Sequence, residues 1–219
     1  IGYMQRPHDY SHVVFPQDIR NCTTCHAADA PQAHIWFPRP SRDACGSCHD
    51  DIEWAEGVNH PVPQFDDDAC SICHQPQGQR EFDVSVMGAH VVPTKSDQLA
   101  GLNMEILDVA DAFPGGHPTV TFRVTNDDGS FVAPSTLDSL NILVGGPTTE
   151  YQHYYREGAT GALISGDVAM YTFSDPIPED AMGTWAFSAD CYRFVILDDG
   201  TEDGLEVREA AFNPIFYAA

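Results

Sequence analysis

Basic residues are scarce in this chain. Ten Lys and Arg stand against 33 Asp and Glu, a formal net charge of −23. That balance excludes a nucleic-acid or anionic-lipid partner, since both need Lys/Arg patches. Long apolar runs are missing too. No stretch reaches the roughly 18 residues of a membrane-spanning helix, and the longest near-apolar segments, such as residues 194–197, are strand-sized. There is no initiator Met and no signal peptide, so the opening Ile1-Gly2-Tyr3 reads as a mature form or as a piece of something longer. Any export must therefore be argued from chemistry. What is present rules out wholesale disorder, because hydrophobic residues make up 42% of the chain. Acidic pairs and runs such as Asp50-Asp51 and Asp66-Asp67-Asp68 read as a solvated surface. The loop Asp198-Asp199-Gly200-Thr201-Glu202-Asp203-Gly204 offers hard oxygen ligands but lacks the full calcium-loop pattern, and reads as a turn.

The 219 residues divide into two textures, with a boundary near residues 96–101. The expected domains are 1–98 and 99–219. Eight of the ten His lie before residue 95, as do six of the seven Cys. This first part is rich in Pro, Asp, His and Cys and nearly free of periodic stretches. It is expected to be irregular, with cofactors replacing a side-chain core. The second part reads as antiparallel β structure. Thr119-Val120-Thr121-Phe122-Arg123-Val124-Thr125 alternates strictly, and Asn126-Asp127-Asp128-Gly129 follows as a turn. Further strands are expected at 141–144, 168–174, 184–189, 192–197 and 204–210. Many short strands between Pro and Gly clusters favour a sandwich or Greek-key barrel.

Three segments match Cys-x-x-Cys-His: Cys22-Thr23-Thr24-Cys25-His26, Cys45-Gly46-Ser47-Cys48-His49 and Cys70-Ser71-Ile72-Cys73-His74. Their chemistry explains the spacing. Two thiols add to the two vinyl groups of a haem as thioethers, and the adjacent His then sits beneath the iron as its proximal ligand. Zinc would use paired Cys or mixed Cys/His sets, without requiring His directly after every second Cys. A thioredoxin-type dithiol needs one motif beside a βαβ pattern, and none is visible. The motifs predict three covalently attached haem c groups, with His26, His49 and His74 as proximal ligands.

Each iron has a second axial position. The remaining His are His8, His12, His34, His60, His90, His117 and His153, and Met4 and Met87 also fall in the first part. Surplus His favours bis-His coordination, which tends to lower the potential, whereas His-Met raises it. His117 and His153 read as ordinary loop or surface residues. Cys191, the odd cysteine, reads as a buried free thiol, with an intermolecular disulfide as the alternative.

The chain resembles the OmcA/MtrC family of outer-surface multihaem cytochromes. The matching stretches run from His8-Asp9-Tyr10-Ser11-His12 through Asp18-Ile19-Arg20-Asn21-Cys22 and Pro40-Ser41-Arg42-Asp43-Ala44-Cys45 to Val58-Asn59-His60 and Gly88-Ala89-His90. Thr121-Phe122-Arg123-Val124-Thr125 and Gly145-Gly146-Pro147-Thr148-Thr149 resemble the family's β domain. The resemblance implies His8, His60 and His90 as distal ligands, one per iron. Family modules usually carry five haems, so the chain looks like the last three of a module with the β domain that follows. The resemblance also implies an outer-surface or extracellular location.

The leading expectation is extracellular electron transfer by a carrier rather than a catalyst, with no catalytic residues. Expected partners are further copies of the chain in a filament, other multihaem cytochromes, or extracellular acceptors such as metal oxides. One rival reading is a module of a larger metal-reducing cytochrome. Another is a haem reductase, which requires an iron with an open position.

Overall fold

The computed structural model describes residues 18, 20–24, 26–211 and 213–218. It divides into two compact units, Ile1–Ser96 with Asp198–Asp203, and Asp97–Leu197 with Gly204–Ala219.

The second unit is built from two antiparallel sheets. Strands β1 (Asn103–Ala110), β2 (Thr119–Thr125), β5 (Leu163–Ser165) and β6 (Val168–Thr172) form one, in the order β1-β2-β6-β5. Strands β3 (Ser139–Gly146), β4 (His153–Gly158), β7 (Trp185–Leu197) and β8 (Leu205–Ala210) form the other, in the order β4-β3-β7-β8, with β9 (Phe216–Ala218) also pairing with β7. The chain therefore changes sheet after every hairpin. Alternation explains the packing. On β2 the residues Val120, Phe122 and Val124 are fully buried, and on β3 Leu140, Ile142 and Val144 face the same cluster with Phe173, Trp185 and Phe187. Each such side chain contributes about 1.5–3 kcal/mol relative to exposure. Gly146 is required by this core, because a Cβ there would lie 2.2 Å from the Trp185 ring.

The strands expected at 184–189 and 192–197 are one continuous strand, β7. Within it, the Asp190 side chain is half-exposed and ion-paired to Arg156 at 3.2 Å and Arg208 at 3.5 Å. Along the edge of β7 away from β3, between β8 and β9, no described strand pairs with Ala189. The Asn213 side chain fills the gap, accepting from the Ala189 amide at 3.0 Å and donating to its carbonyl at 2.6 Å. Cys191 lies inside the core, where burial pushes its thiol up to about 12. Strands β1, β4, β5 and β9 were not expected from sequence.

The first unit is organised differently. Among its described residues the regular elements are a 3-10 turn at Cys22–Thr24, three short helices, α1 (Arg42–Gly46), α2 (Cys70–Cys73) and α3 (Val86–Ala89), and a second 3-10 turn at Pro93–Lys95. Among the described residues of this unit, no hydrophobic side chain is fully buried. Val58, Val62, Phe65, Ile72 and Val84 are exposed, Phe65 by 75% and Ile72 by 74%.

One ion pair tests the β unit. Arg193 meets Glu209 at 2.6 Å, and its guanidinium also donates to the Gly101 carbonyl at 3.1 Å and to Asn126 at 2.9 Å. The Glu209 side chain is only 5% exposed. Arg193→Ala strands that carboxylate and frees two loop ends, at an expected cost of about 3 kcal/mol. Urea unfolding followed by far-UV circular dichroism measures it; a loss below about 1 kcal/mol makes the pair a surface ornament.

Candidate metal-ligand pairs

All three Cys-x-x-Cys-His segments close the same turn. The His amide donates to the carbonyl of the first Cys at 2.9 Å for His26 and Cys22, 2.8 Å for His49 and Cys45, and 2.9 Å for His74 and Cys70. Residues three and four apart in a helical turn share one face. In the second and third motifs the turn therefore presents both thiols and the imidazole together. Local caps set the second turn: Ser41 accepts from the Ala44 amide at 3.3 Å at the start of α1. Arg42 then pairs with Asp67 at 2.8 Å, tying the entrance of the second motif to that of the third. The Arg42 hydrogen bond holds the Asp67 carboxyl below its ordinary value. Cys45, Cys48, Cys70 and Cys73 are free thiols, Cys48 and Cys73 exposed. Cys25 lies outside the described residues, as do His8, His12 and Met4.

Two non-motif His stand opposite motif His. The ring centres of His49 and His90 are 6.2 Å apart with planes at 80°, and those of His60 and His74 are 6.2 Å apart at 40°. Two metal–imidazole bonds of about 2 Å, plus about 1 Å from each nitrogen to its ring centre, set trans imidazoles about 6 Å apart. Each pair thus leaves room for one metal ion between two rings. Among the described residues, no three His, Cys, Asp or Glu side chains gather as a closed zinc-type site would need.

The loops carrying His60 and His90 are fixed by backbone chemistry. Around His60, the bridge Glu53–Val58 closes a short loop, Gly57 turns at φ +72°, and Asn59 adopts φ +56°. Asn59 is held there by donating to the Asp51 carbonyl at 2.9 Å. The His60 Nδ1 lies 2.6 Å from the Val62 carbonyl. His90 ends α3, and its Nδ1 lies 2.7 Å from the Val86 carbonyl. A ring that donates from Nδ1 keeps its lone pair on Nε2, the tautomer a metal ligand needs. His26 has a longer contact of the same kind, 3.3 Å to the Gln32 carbonyl. His34 is exposed, His117 contacts the Phe173 carbonyl at 3.1 Å, and His153 stacks on Trp185; none joins a described pair.

Sequence reasoning missed the supports. Asp83 accepts from the amides of Gln79, Arg80 and Ser85 at 2.9, 3.2 and 3.0 Å, and from the Ser85 hydroxyl. Ser85 in turn caps α3 through the Gly88 amide at 3.0 Å. A Cβ on Gly88 would fall 2.2 Å from that pinned Asp83 carboxylate, so glycine is required two residues before His90. Gly88-Ala89-His90 stands out in sequence only through a resemblance; the partner that excludes a side chain at Gly88, Asp83, does not stand out.

No protein-family model matches the chain, and no curated protein does. Among solved structures, the crystal structure of MtrC from Shewanella baltica OS185 is similar, with a TM-score of 0.60 and 16% sequence identity. The likeness covers 90% of this chain and 35% of that one, and at such identity it is a likeness of fold.

The Asp83 cluster yields a pH prediction. The Ser85 hydroxyl, followed by the backbone amides, holds the Asp83 carboxyl down at about 2. A carboxylate with a lowered folded value contributes stability above its unfolded value near 4, lost as pH falls through the folded value. Asp83→Asn is expected to speed hydrogen exchange of the peptide covering residues 79–90 at pH 7, with the difference from the native chain vanishing near pH 2. Equal exchange at pH 7 removes Asp83 from the supports of His90.

Proposed function

We propose that this chain is an electron carrier that holds three c-type haems, joined through Cys22 and Cys25, Cys45 and Cys48, and Cys70 and Cys73. In this reading His26, His49 and His74 are proximal ligands, and His8, His60 and His90 are distal. The observation that carries the reading is the 6.2 Å spacing of two imidazole pairs, each joining one motif His to one non-motif His. The residues fit the group in three further ways: the repeated turn, the Nδ1–carbonyl bonds that leave Nε2 free, and the exposed apolar side chains of a unit without a side-chain core. When bound, each haem supplies an iron that takes up and releases one electron.

The pairing assigns His90 to the second motif and His60 to the third, so ligands cross between successive haems. His8 then falls to the first motif. Two imidazoles on an iron leave no position for a substrate, which favours a carrier over a reductase.

The resemblance to the OmcA/MtrC family and the MtrC-like fold support an outer-surface or extracellular place for this carrier. Covalent haem attachment outside the cytoplasmic membrane supports it as well. Among the described residues no helix is long and apolar enough to cross a membrane. Electrons would pass on to other multihaem cytochromes, to copies of the chain in a filament, or to acceptors such as metal oxides. A charge of −23 opposes self-association, so a filament needs local apolar burial or bound cations. The chain spans about a third of the length of the similar MtrC chain.

Denaturing mass spectrometry of holoprotein matured in a cytochrome c–competent host is expected to show the polypeptide plus three haems. Optical and electron paramagnetic resonance spectra are expected to show low-spin iron throughout. His60→Ala is expected to turn one haem in three high-spin; fewer haems, or an unchanged spectrum in this variant, defeats the corresponding assignment.

A further inference from the structure

Trp54 has no part in the ligand set, yet it abuts two of its members. Its ring centre lies 5.5 Å from that of His60, with the planes at 59°. Its indole nitrogen lies 3.5 Å from the point where a Cβ on Gly46 would sit. Gly46 belongs to the second motif, whereas His60 faces the third-motif His74. The indole therefore lies against the second motif on one side and a ligand of the third on the other.

Trp54 is well placed to act on the His60 ring. Its own backbone is anchored, with the Trp54 carbonyl accepting from the Gln64 amide at 2.7 Å beside the Glu53–Val58 bridge. The bond from His60 Nδ1 to the Val62 carbonyl fixes one ring atom. A single hydrogen bond leaves the ring free to swing about it, and the neighbouring indole removes that freedom. The outcome differs from that at the other pair. The His60–His74 planes meet at 40°, the His49–His90 planes at 80°, and His90 is held by a carbonyl of its own helical turn.

We propose that Trp54 is a positioning residue that sets the ring plane of His60, and that it thereby makes the His60–His74 site electronically unlike the His49–His90 site. The proposal rests on the haem reading above. Axial imidazoles donate into the two π-type d orbitals of a low-spin iron. Near-perpendicular planes act on both orbitals alike, leave them nearly degenerate and give a highly anisotropic resonance signal. Planes turned toward one another favour one orbital and give a rhombic signal. Contacts to the axial ligands also tune the potential.

The experiment uses the three-haem holoprotein, its haem content counted by pyridine haemochrome. His60→Met and His90→Met identify which low-spin signal belongs to which site. The native protein is expected to show a rhombic signal that His60→Met removes and a highly anisotropic one that His90→Met removes. Trp54→Leu is expected to keep three haems, to move the His60 signal and the midpoint potential of that one haem, and to leave the His90 signal in place. Trp54→Phe, which retains a flat ring, is expected to move the same signal less, and serves alone if the Leu variant does not mature. Unmoved signals in both variants, or equal shifts at all sites, overturn the positioning role while the haem reading stands. A native protein with fewer than three haems overturns both.

Discussion

Three times along the chain, a histidine amide reaches back to the carbonyl of the cysteine four residues before it. That hydrogen bond decides the rest of the first unit. In the second and third motifs it turns a linear Cys-x-x-Cys-His into a face that carries two sulfurs and one imidazole, and it does so with backbone atoms that any sequence owns. The surrounding chain then has only to bring a second imidazole to the right distance. It achieves this twice among the described residues, with different means each time: a left-handed Asn59 and a closed loop for His60, a capped single turn for His90. Neither device depends on a hydrophobic core.

The two units consequently draw on different physics. In the β unit, Phe122, Ile142, Phe187 and their neighbours are withdrawn from water, and the sheet order follows from which faces alternate. In the other unit, carboxylates such as Asp67 and Asp83 collect amide and guanidinium donors, while Phe65, Ile72 and Val84 stay exposed. An abundance of acids in so core-poor a segment is partly structural: several of them organise turns, rather than merely solvating the surface.

The sequence was most legible where one residue type has one use. The three motifs stand out because a histidine directly after the second cysteine recurs three times, and each recurrence closes the same backbone turn. Strand β2 was legible because Val120, Phe122 and Val124 alternate without interruption. Legibility failed where position depends on partners distant in sequence. β5 has no buried residue, so no pattern marks it, and β9 exists because β7 offers it an edge. The continuity of β7 through Asp190 follows its unbroken pairing with β3, far away in sequence, where Asn141 faces Asp190. The pairing of His90 with the second motif, rather than the nearer third, is likewise a matter of how the chain returns on itself. Composition shows a surplus of histidines but not which of them face each other.

The Nδ1–carbonyl bonds of His60 and His90 bear on speed as well as on geometry. A charge that arrives at or leaves a metal centre moves quickly only if the surrounding nuclei barely need to rearrange. In the proposed carrier, each of these rings is tethered at the nitrogen away from the metal to a carbonyl two or four residues from it, on a loop that is itself closed by hydrogen bonds. A ring held at that nitrogen has less room to relax when the charge beside it changes. The reorganisation energy of each hop would then reside mainly in the solvent around these exposed loops, and the water at the surface, more than the protein, would set the pace.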